Sequence, residues 1–154
     1  MMPPVQEFDG DLMVIEESLH QTTVPTTIRD RVRVTRDLAV YGAFCYEFFA
    51  VSVYWAYTTV EMGLWTKFKE LNPANPTPPG TLKPLVDWAT KHKLLPTDLP
   101  APFLTAIRND LAHPKGYSHA VTPGMARDTF EILIHIVNHL WPIDLASSWS
   151  IDHE

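Results

Sequence analysis

The feature that most constrains the fold is a long apolar run from Leu38 to Val60, which carries a single charge, Glu47. Its 23 residues are long enough to span a bilayer. An ionisable group near the middle of such a span is costly, however. Several side chains in the run carry hydroxyl groups, and the segment continues to Glu70 with an amphipathic pattern. We therefore expect no membrane span but a central helix that neighbouring helices or a second subunit cover.

The helical pattern around this run extends from residue 28 to residue 71. One unbroken helix of that length would measure about 66 Å at 1.5 Å per residue. The chain has 154 residues, the size of one domain, and such a domain has a radius of gyration of only about 15 Å. We therefore predict a break, and Tyr41-Gly42 is its expected place because glycine interrupts helices.

Prolines and capping residues divide the rest of the chain into further helices. Thr81 is a predicted N-cap for a helix over 82–94, and Pro114 ends a helix over 103–113. Thr122 followed by Pro123 predicts the start of a final helix that runs to residue 141. Because no strand pattern of useful length occurs, we predict an all-α, up-and-down bundle of four to five helices.

The two ends of the chain differ from its middle. Residues 1–26 hold five acidic side chains and no Lys or Arg, so they form either one short helix or a loose acidic N-terminal arm. Thr27 then caps the central stretch, the helical domain covers 27–142, and 143–154 form a C-terminal tail. The first residues lack the positive and apolar regions of a signal peptide, so we expect a cytoplasmic protein.

Composition excludes two classes of protein. A single cysteine rules out a disulfide scaffold and a four-thiolate zinc site. The net charge of -6 argues against a protein that coats duplex nucleic acid through bulk charge. The charge is uneven, however, because residues 27–127 carry +4 and both flanking regions carry -5. The positive middle leaves room for an anionic partner.

The residues that carry chemistry are Arg108, Asn109 and His113, spaced Arg-Asn-x-x-x-His at the end of the helix over 103–113. A guanidinium matches phosphate oxygens with its planar fork, and histidine serves as a general acid or base. Asn109 and His113 share a helix face at i, i+4, so the amide can orient the ring. Arg108 and His113 lie about 140° apart around a helix. They can meet at one phosphate if the helix unwinds at His113 or if two copies of the motif face each other in a dimer.

This motif, preceded by the aromatic helix around Glu61 and followed by a final amphipathic helix, resembles the HEPN (higher eukaryotes and prokaryotes nucleotide-binding) domain family over about residues 28–141. The resemblance implies metal-independent RNA cleavage in a composite site between two identical subunits, with Arg108 and His113 catalytic and Asn109 supportive. It implies no cofactor or metal, and a toxin or defence role in which an antitoxin or other protein is a partner. The alternative is a catalytically inactive HEPN-like module that binds a protein or a nucleotide.

One departure concerns the family members controlled by a nucleotidyltransferase antitoxin, which carry tyrosine two residues after the histidine. Lys115 occupies that place, and Tyr117 follows two residues later. This puts control by tyrosine modification in doubt. Lys115 and Tyr117 instead are candidates to contact the RNA backbone or to stack on a base.

Three arginines, Arg29, Arg33 and Arg36, share one helix face at i, i+4, i+7. We call them the arginine row. They either follow an RNA backbone or form a solvated face paired with Asp30, Asp37 and the acidic N-terminal segment.

Two further candidates are weaker. His135 and His139, with Glu131 one turn earlier, form a stripe that could bind a divalent metal but lacks a clear third ligand. A polar stripe on the last helix or a dimer surface is the preferred interpretation. Cys45 lies within the apolar run and is expected to be inert core.

Overall fold

The computed structural model describes residues 4–100, 103 and 121–143. All regular structure in these residues is helical, and no strand occurs among them. The prediction of an all-α bundle is therefore confirmed. The helices of the described residues are α1 (Val5–Glu17), α2 (Thr26–Tyr41), α3 (Glu47–Leu71), α4 (Leu82–Lys91) and α5 (Pro123–Leu140).

The predicted break in the central helical stretch is confirmed, but the glycine is needed for a different reason. α2 ends at Tyr41, and α3 begins at Glu47 after a short turn. Gly42 has φ -56° and ψ -26°, helical values that any residue adopts. A Cβ atom on Gly42, however, would lie 2.4 Å from the ring of Phe49. The turn therefore needs glycine because an aromatic side chain of α3 packs directly against its backbone.

The first helix, α1, belongs to the core. The Phe8 ring is buried and meets the ring of Phe49 edge-on, with centroids 5.7 Å apart. Beyond α1, the side-chain amide of Asn138 in α5 donates a hydrogen bond of 2.8 Å to the carbonyl of Ser18. Of the two alternatives that the sequence left open, the structure has the helix, because its apolar stripe is buried by α2 and α5.

The helix ends show how far capping residues predict boundaries. Thr122 caps α5 as predicted, since its hydroxyl accepts a hydrogen bond of 3.1 Å from the Met125 N–H. Thr81 occupies the N-cap of α4 but makes no capping bond with its side chain, and α4 ends at Lys91, short of the predicted 94. The predicted cap at Thr27 is wrong, because α2 already begins at Thr26.

α3 is the central helix and packs against α2, α4 and α5. α3 approaches the end of α5 closely at Gly63, where an added Cβ would lie 3.3 Å from a methyl of Leu140. Each fully buried large apolar side chain contributes about 1.5–3 kcal/mol relative to an exposed one. Fully buried residues include Leu12, Ile28, Val32, Phe49, Leu64, Leu85, Phe130 and Leu133. Among the described residues, no helix combines the length and the hydropathy that a membrane crossing requires.

Candidate functional site

The predicted catalytic residues Arg108, Asn109 and His113 lie outside the described residues. The same holds for the predicted RNA contacts Lys115 and Tyr117. The structure therefore neither brings these side chains together nor separates them.

The described part of the chain does anchor the start of the motif-bearing segment. Phe103, five residues before Arg108, is buried, and its ring lies 5.1 Å from that of Tyr57 in α3. Burial raises the pKa of Tyr57 above its ordinary value, so the phenol remains neutral. The segment that leads into the motif therefore begins against the middle of α3.

The most developed polar arrangement near the middle of α3 surrounds Arg31 of α2. Its guanidinium lies 4.4 Å from the centroid of the Trp55 ring, and its Nη2 donates a hydrogen bond of 2.8 Å to the Thr58 hydroxyl. Burial lowers the pKa of Arg31. Stacking on the indole compensates part of the desolvation of the cation, so Arg31 is held in one orientation.

Two nitrogen atoms at this contact remain unsatisfied. The Nε of Arg31 and the Nε1 of Trp55 are buried and have no hydrogen-bond partner in the part of the chain that the structure describes. A small groove of about 240 Å³ lies beside them. It is lined by Arg31, Thr58, Glu61, Met62 and Trp65. The groove combines a fixed cation with the exposed ring of Trp65, which suits contact with a stacked base. The Glu61 carboxylate in the same lining disfavours an oxyanion.

The sequence analysis did not single out this groove, because Arg31 lies on a different side of α2 from the arginine row. The pairing could have been inferred from the short turn at Gly42, which makes α2 and α3 antiparallel and sets Arg31 opposite Thr58.

The arginine row is engaged mostly within the chain. Arg36 forms ion pairs with Glu16 at 2.8 Å and with Asp37 at 3.0 Å. Arg29 donates hydrogen bonds to Gln21 and Thr26. Arg33 is exposed and has no ion pair within the described residues. The pairing of Arg36 with Glu16 and Asp37 matches the paired-face alternative, and Arg33 is the member open to solvent.

The histidine stripe of α5 makes a contact that the sequence did not reveal. His135 Nε2 lies 3.0 Å from Asp98 Oδ1, and both side chains are largely exposed. The hydrogen bond with His135 lowers the pKa of Asp98. Glu131 instead lies 3.8 Å from Arg127. No group of three or more His, Cys, Asp or Glu side chains among the described residues is arranged to hold a metal ion.

The prediction that Cys45 is buried core is wrong. The residue lies in the turn between α2 and α3 and is exposed. Its thiol donates a hydrogen bond of 3.1 Å to Glu47, and this contact raises the pKa of Cys45 above its ordinary value. The protonated thiol is a poor nucleophile.

One surface of the α2–α3 hairpin is apolar and open to solvent. Its exposed fractions reach 74% at Phe44, 57% at Tyr41 and 42% at Val51. Along α3 the residues at 48, 51, 55, 58, 62 and 65 recur with alternating steps of three and four, the spacing of a helix-packing stripe. We call this surface the α2–α3 apolar face; it comprises Val34, Tyr41, Phe44, Phe48, Val51, Tyr54, Met62 and Trp65.

Comparisons with protein-family models, with curated proteins and with solved structures found no match to this chain.

Proposed function

We propose that this protein is a homodimeric, metal-independent endoribonuclease of the HEPN type that acts as a toxin or defence component. The observation that carries the proposal is the spacing of Arg108, Asn109 and His113 in a chain whose described part is an all-α bundle. Phe103, packed against Tyr57, ties the segment that leads into this motif to the central helix.

The three motif residues have the properties that this reaction needs. His113 takes the proton from the ribose 2′-OH or protonates the leaving 5′ oxygen. Arg108 stabilises the additional charge on the phosphorus in the transition state, and Asn109 orients the imidazole. Use of the 2′-OH as nucleophile restricts the substrate to RNA. A spacing of five residues would put Arg108 and His113 about 140° apart on a helix, so the proposal uses a site shared by two chains to supply both groups to one phosphate.

The α2–α3 apolar face supports the dimer. Exposed apolar patches of this kind mark interaction sites in soluble proteins. α3 carries exposed Glu47 at its start and exposed Lys69 near its end. A two-fold axis near the middle of α3 pairs the start of one helix with the end of the other. The charges then match, which favours a second copy of this chain as the partner.

Arg33, the exposed member of the arginine row, adds a cation on α2. We assign Arg33 a role in holding the RNA backbone, in addition to Lys115 and Tyr117.

RNA cleavage in the presence of EDTA tests the chemistry. Wild type, Arg108→Ala and His113→Ala are incubated with a mixed RNA substrate, and His92→Ala, an exposed histidine at the end of α4, is the matched control. We expect each motif variant to lose at least about 100-fold in rate, the range for general acid–base groups, and the control to retain full activity. Equal cleavage by all four proteins would exclude the assignment.

Mass in solution tests the dimer separately. Val51→Glu places a charge in the α2–α3 apolar face, and we expect it to give a monomer. Val14→Glu places the same charge on the exposed side of α1, where 67% of Val14 is accessible, and we expect this control to remain dimeric. A strictly monomeric wild type would contradict the composite site.

A second candidate function is a non-enzymatic module that binds another protein. The pairing of Arg36 with Glu16 and Asp37 favours it, because this cation is already neutralised. The α2–α3 apolar face would then hold the partner protein in place of a second copy of the chain. Absence of RNA cleavage, with a partner protein bound equally by wild type and His113→Ala but not by Val51→Glu, would support this alternative.

A further inference from the structure

A second cationic region lies where the turn after α1, the end of α3, the segment after α4 and the last turn of α5 meet. These elements enclose an open cleft of about 630 Å³, within the range of small-molecule sites. We call it the basic cleft; it is lined by His20, Lys67, Lys93, Leu94, His135, Asn138, His139, Leu140 and Pro142. Among the described residues, this lining includes two lysines and three histidines but no carboxylate.

The acidic groups near the cleft are already engaged. Glu70 lies 3.5 Å from the Lys67 ammonium and accepts hydrogen bonds from the indole N–H of Trp141. Asp98 is paired with His135. The side chain of Lys93 has no hydrogen bond or ion pair within the described residues. Lys93 is therefore the lysine of the cleft that pairs with no carboxylate of the described residues, whereas Lys67 shares its charge with Glu70.

Lys93 adopts a backbone conformation that favours glycine. It has φ 57°, the only positive φ of a non-glycine residue in the described part of the chain. It follows the C-cap of α4, where the N–H of Leu94 bonds to the carbonyl of Ala89 and the N–H of Lys93 to that of Thr90. Glycine is the usual residue at this point of such a motif. Lysine at this position lowers the stability of the fold relative to glycine. A side chain kept at a position where it destabilises the fold points to a functional role.

His20 is held with one ring nitrogen available to a ligand. Its Nδ1 lies 3.0 Å from the carbonyl oxygen of Trp141. A carbonyl only accepts, so Nδ1 carries the proton and Nε2 is free. The backbone N–H of His20 donates a bond of 2.8 Å to Asn138 Oδ1, which fixes the residue against α5. Nε2 can accept a hydrogen bond from a phosphate monoanion or, when the ring is protonated, donate one to the dianion.

We propose that the basic cleft binds a phosphate group, either free or as the end of a small organic phosphate. Lys93 supplies an unpaired charge, Lys67 of α3 supplies a further ammonium donor beside Glu70, and His20 and His139 supply hydrogen bonds. A tetrahedral phosphate offers more acceptor oxygens than a carboxylate, which suits donors that converge from several directions. Leu94, Leu140 and Pro142 provide apolar wall for an organic substituent. The proposal is independent of the catalytic motif, since none of these residues belongs to it.

Calorimetric titration of the full chain tests this site with three probes: inorganic phosphate, adenosine 5′-monophosphate and adenosine. We expect both phosphates to bind and adenosine not to bind. If the monophosphate binds more tightly than inorganic phosphate, the ligand of the cleft is an organic phosphate. If inorganic phosphate binds as tightly or more tightly, the ligand is the free phosphate ion. Binding of adenosine as tight as that of its monophosphate would overturn the proposal.

Variants localise the binding. We expect Lys67→Ala and Lys93→Ala each to weaken phosphate binding by about tenfold, as for a lost charge-assisted hydrogen bond. The matched control, Lys83→Ala at the start of α4, removes an identical charge outside the cleft and should leave binding unchanged. An equal loss in all three variants, or none in the two cleft variants, would overturn the proposal. His113→Ala should bind phosphate like wild type, so failure of the ribonuclease proposal is distinguishable from failure of this one.

Discussion

The arginine row on α2 and the basic cleft near the end of α5 are both rich in cations, yet they differ in what those cations do. In the arginine row, Arg36 forms ion pairs with two carboxylates and Arg29 bonds to neighbouring polar groups. In the basic cleft, Lys67 is paired with Glu70 and His135 contacts Asp98, but Lys93 has no such partner in the described residues. A count of positive residues therefore does not identify the surface that can hold an anion. What identifies such a surface is whether its cations are already paired with carboxylates of the same chain.

The largest loss of stability that we expect comes from Asn138→Ala, because Asn138 holds the turn after α1 against α5 at the basic cleft. The Asn138 amide bonds to the Ser18 carbonyl and the His20 N–H. Its loss leaves the partly buried His20 N–H without a partner and removes the bond to the exposed Ser18 carbonyl, so the free energy of unfolding should fall by about 1–3 kcal/mol. Urea denaturation measures the change. Asn75→Ala, in the exposed loop before α4, is the control and should be neutral.

Arg31→Ala should produce the next largest effect. The substitution removes the stacking on Trp55 and the hydrogen bond to Thr58, and we expect a loss of about 1–2 kcal/mol in stability. Arg33→Ala, two residues further along α2 and exposed, should change stability by less than about 0.5 kcal/mol. Thermal unfolding of both variants makes the comparison. Equal losses would mean that the indole contact contributes nothing beyond an ordinary surface charge.

Lys93→Gly should raise stability and lower function in the same molecule. Glycine adopts the positive φ without strain, so we expect a gain of about 0.5–1 kcal/mol. Phosphate binding should weaken together with that gain, because the cleft loses a charge. Denaturation and calorimetry on the same sample measure the two changes. A gain in stability with unchanged phosphate binding would show that the lysine has no role in the cleft.

The smallest effect concerns the pH dependence of the contact between Asp98 and His135. The hydrogen bond with His135 lowers the pKa of Asp98 in the folded state. A carboxyl with a lowered pKa adds stability above its unfolded pKa of about 3.9, and this contribution disappears as the pH falls through the folded value. The difference in unfolding midpoint between wild type and Asp98→Asn should therefore be small near pH 5 and shrink below about pH 4. A difference that grows below pH 4 would contradict the assignment.

The helical architecture followed from local sequence signals. Apolar spacing, prolines and the cap at Thr122 predicted α3 and α5 because those signals act within one helix. Details that depend on packing were not predictable. The Phe49 ring against Gly42 and the burial of Phe8 arise from contacts between helices that no local pattern contains.

The candidate sites follow the same division. The motif at Arg108 and His113 was found because its residues are close in sequence, and so was the arginine row. The basic cleft was missed because its lining comes from positions 20, 67, 93, 135 and 139, which only the fold brings together. Cys45 was misplaced because the break at Gly42 moved it from a predicted helix interior into an exposed turn.

The most direct test of the composite site is complementation between two inactive variants. Arg108→Ala and His113→Ala are mixed, allowed to exchange subunits, and assayed for RNA cleavage in EDTA. Half of the dimers formed by random exchange combine one chain of each kind, and each of these retains one site with an intact Arg108 and an intact His113. The account predicts recovery of about a quarter of the wild-type activity from variants that are inactive alone. A mixture that exchanges subunits and stays inactive, beside an active wild type, would contradict a site shared by two chains.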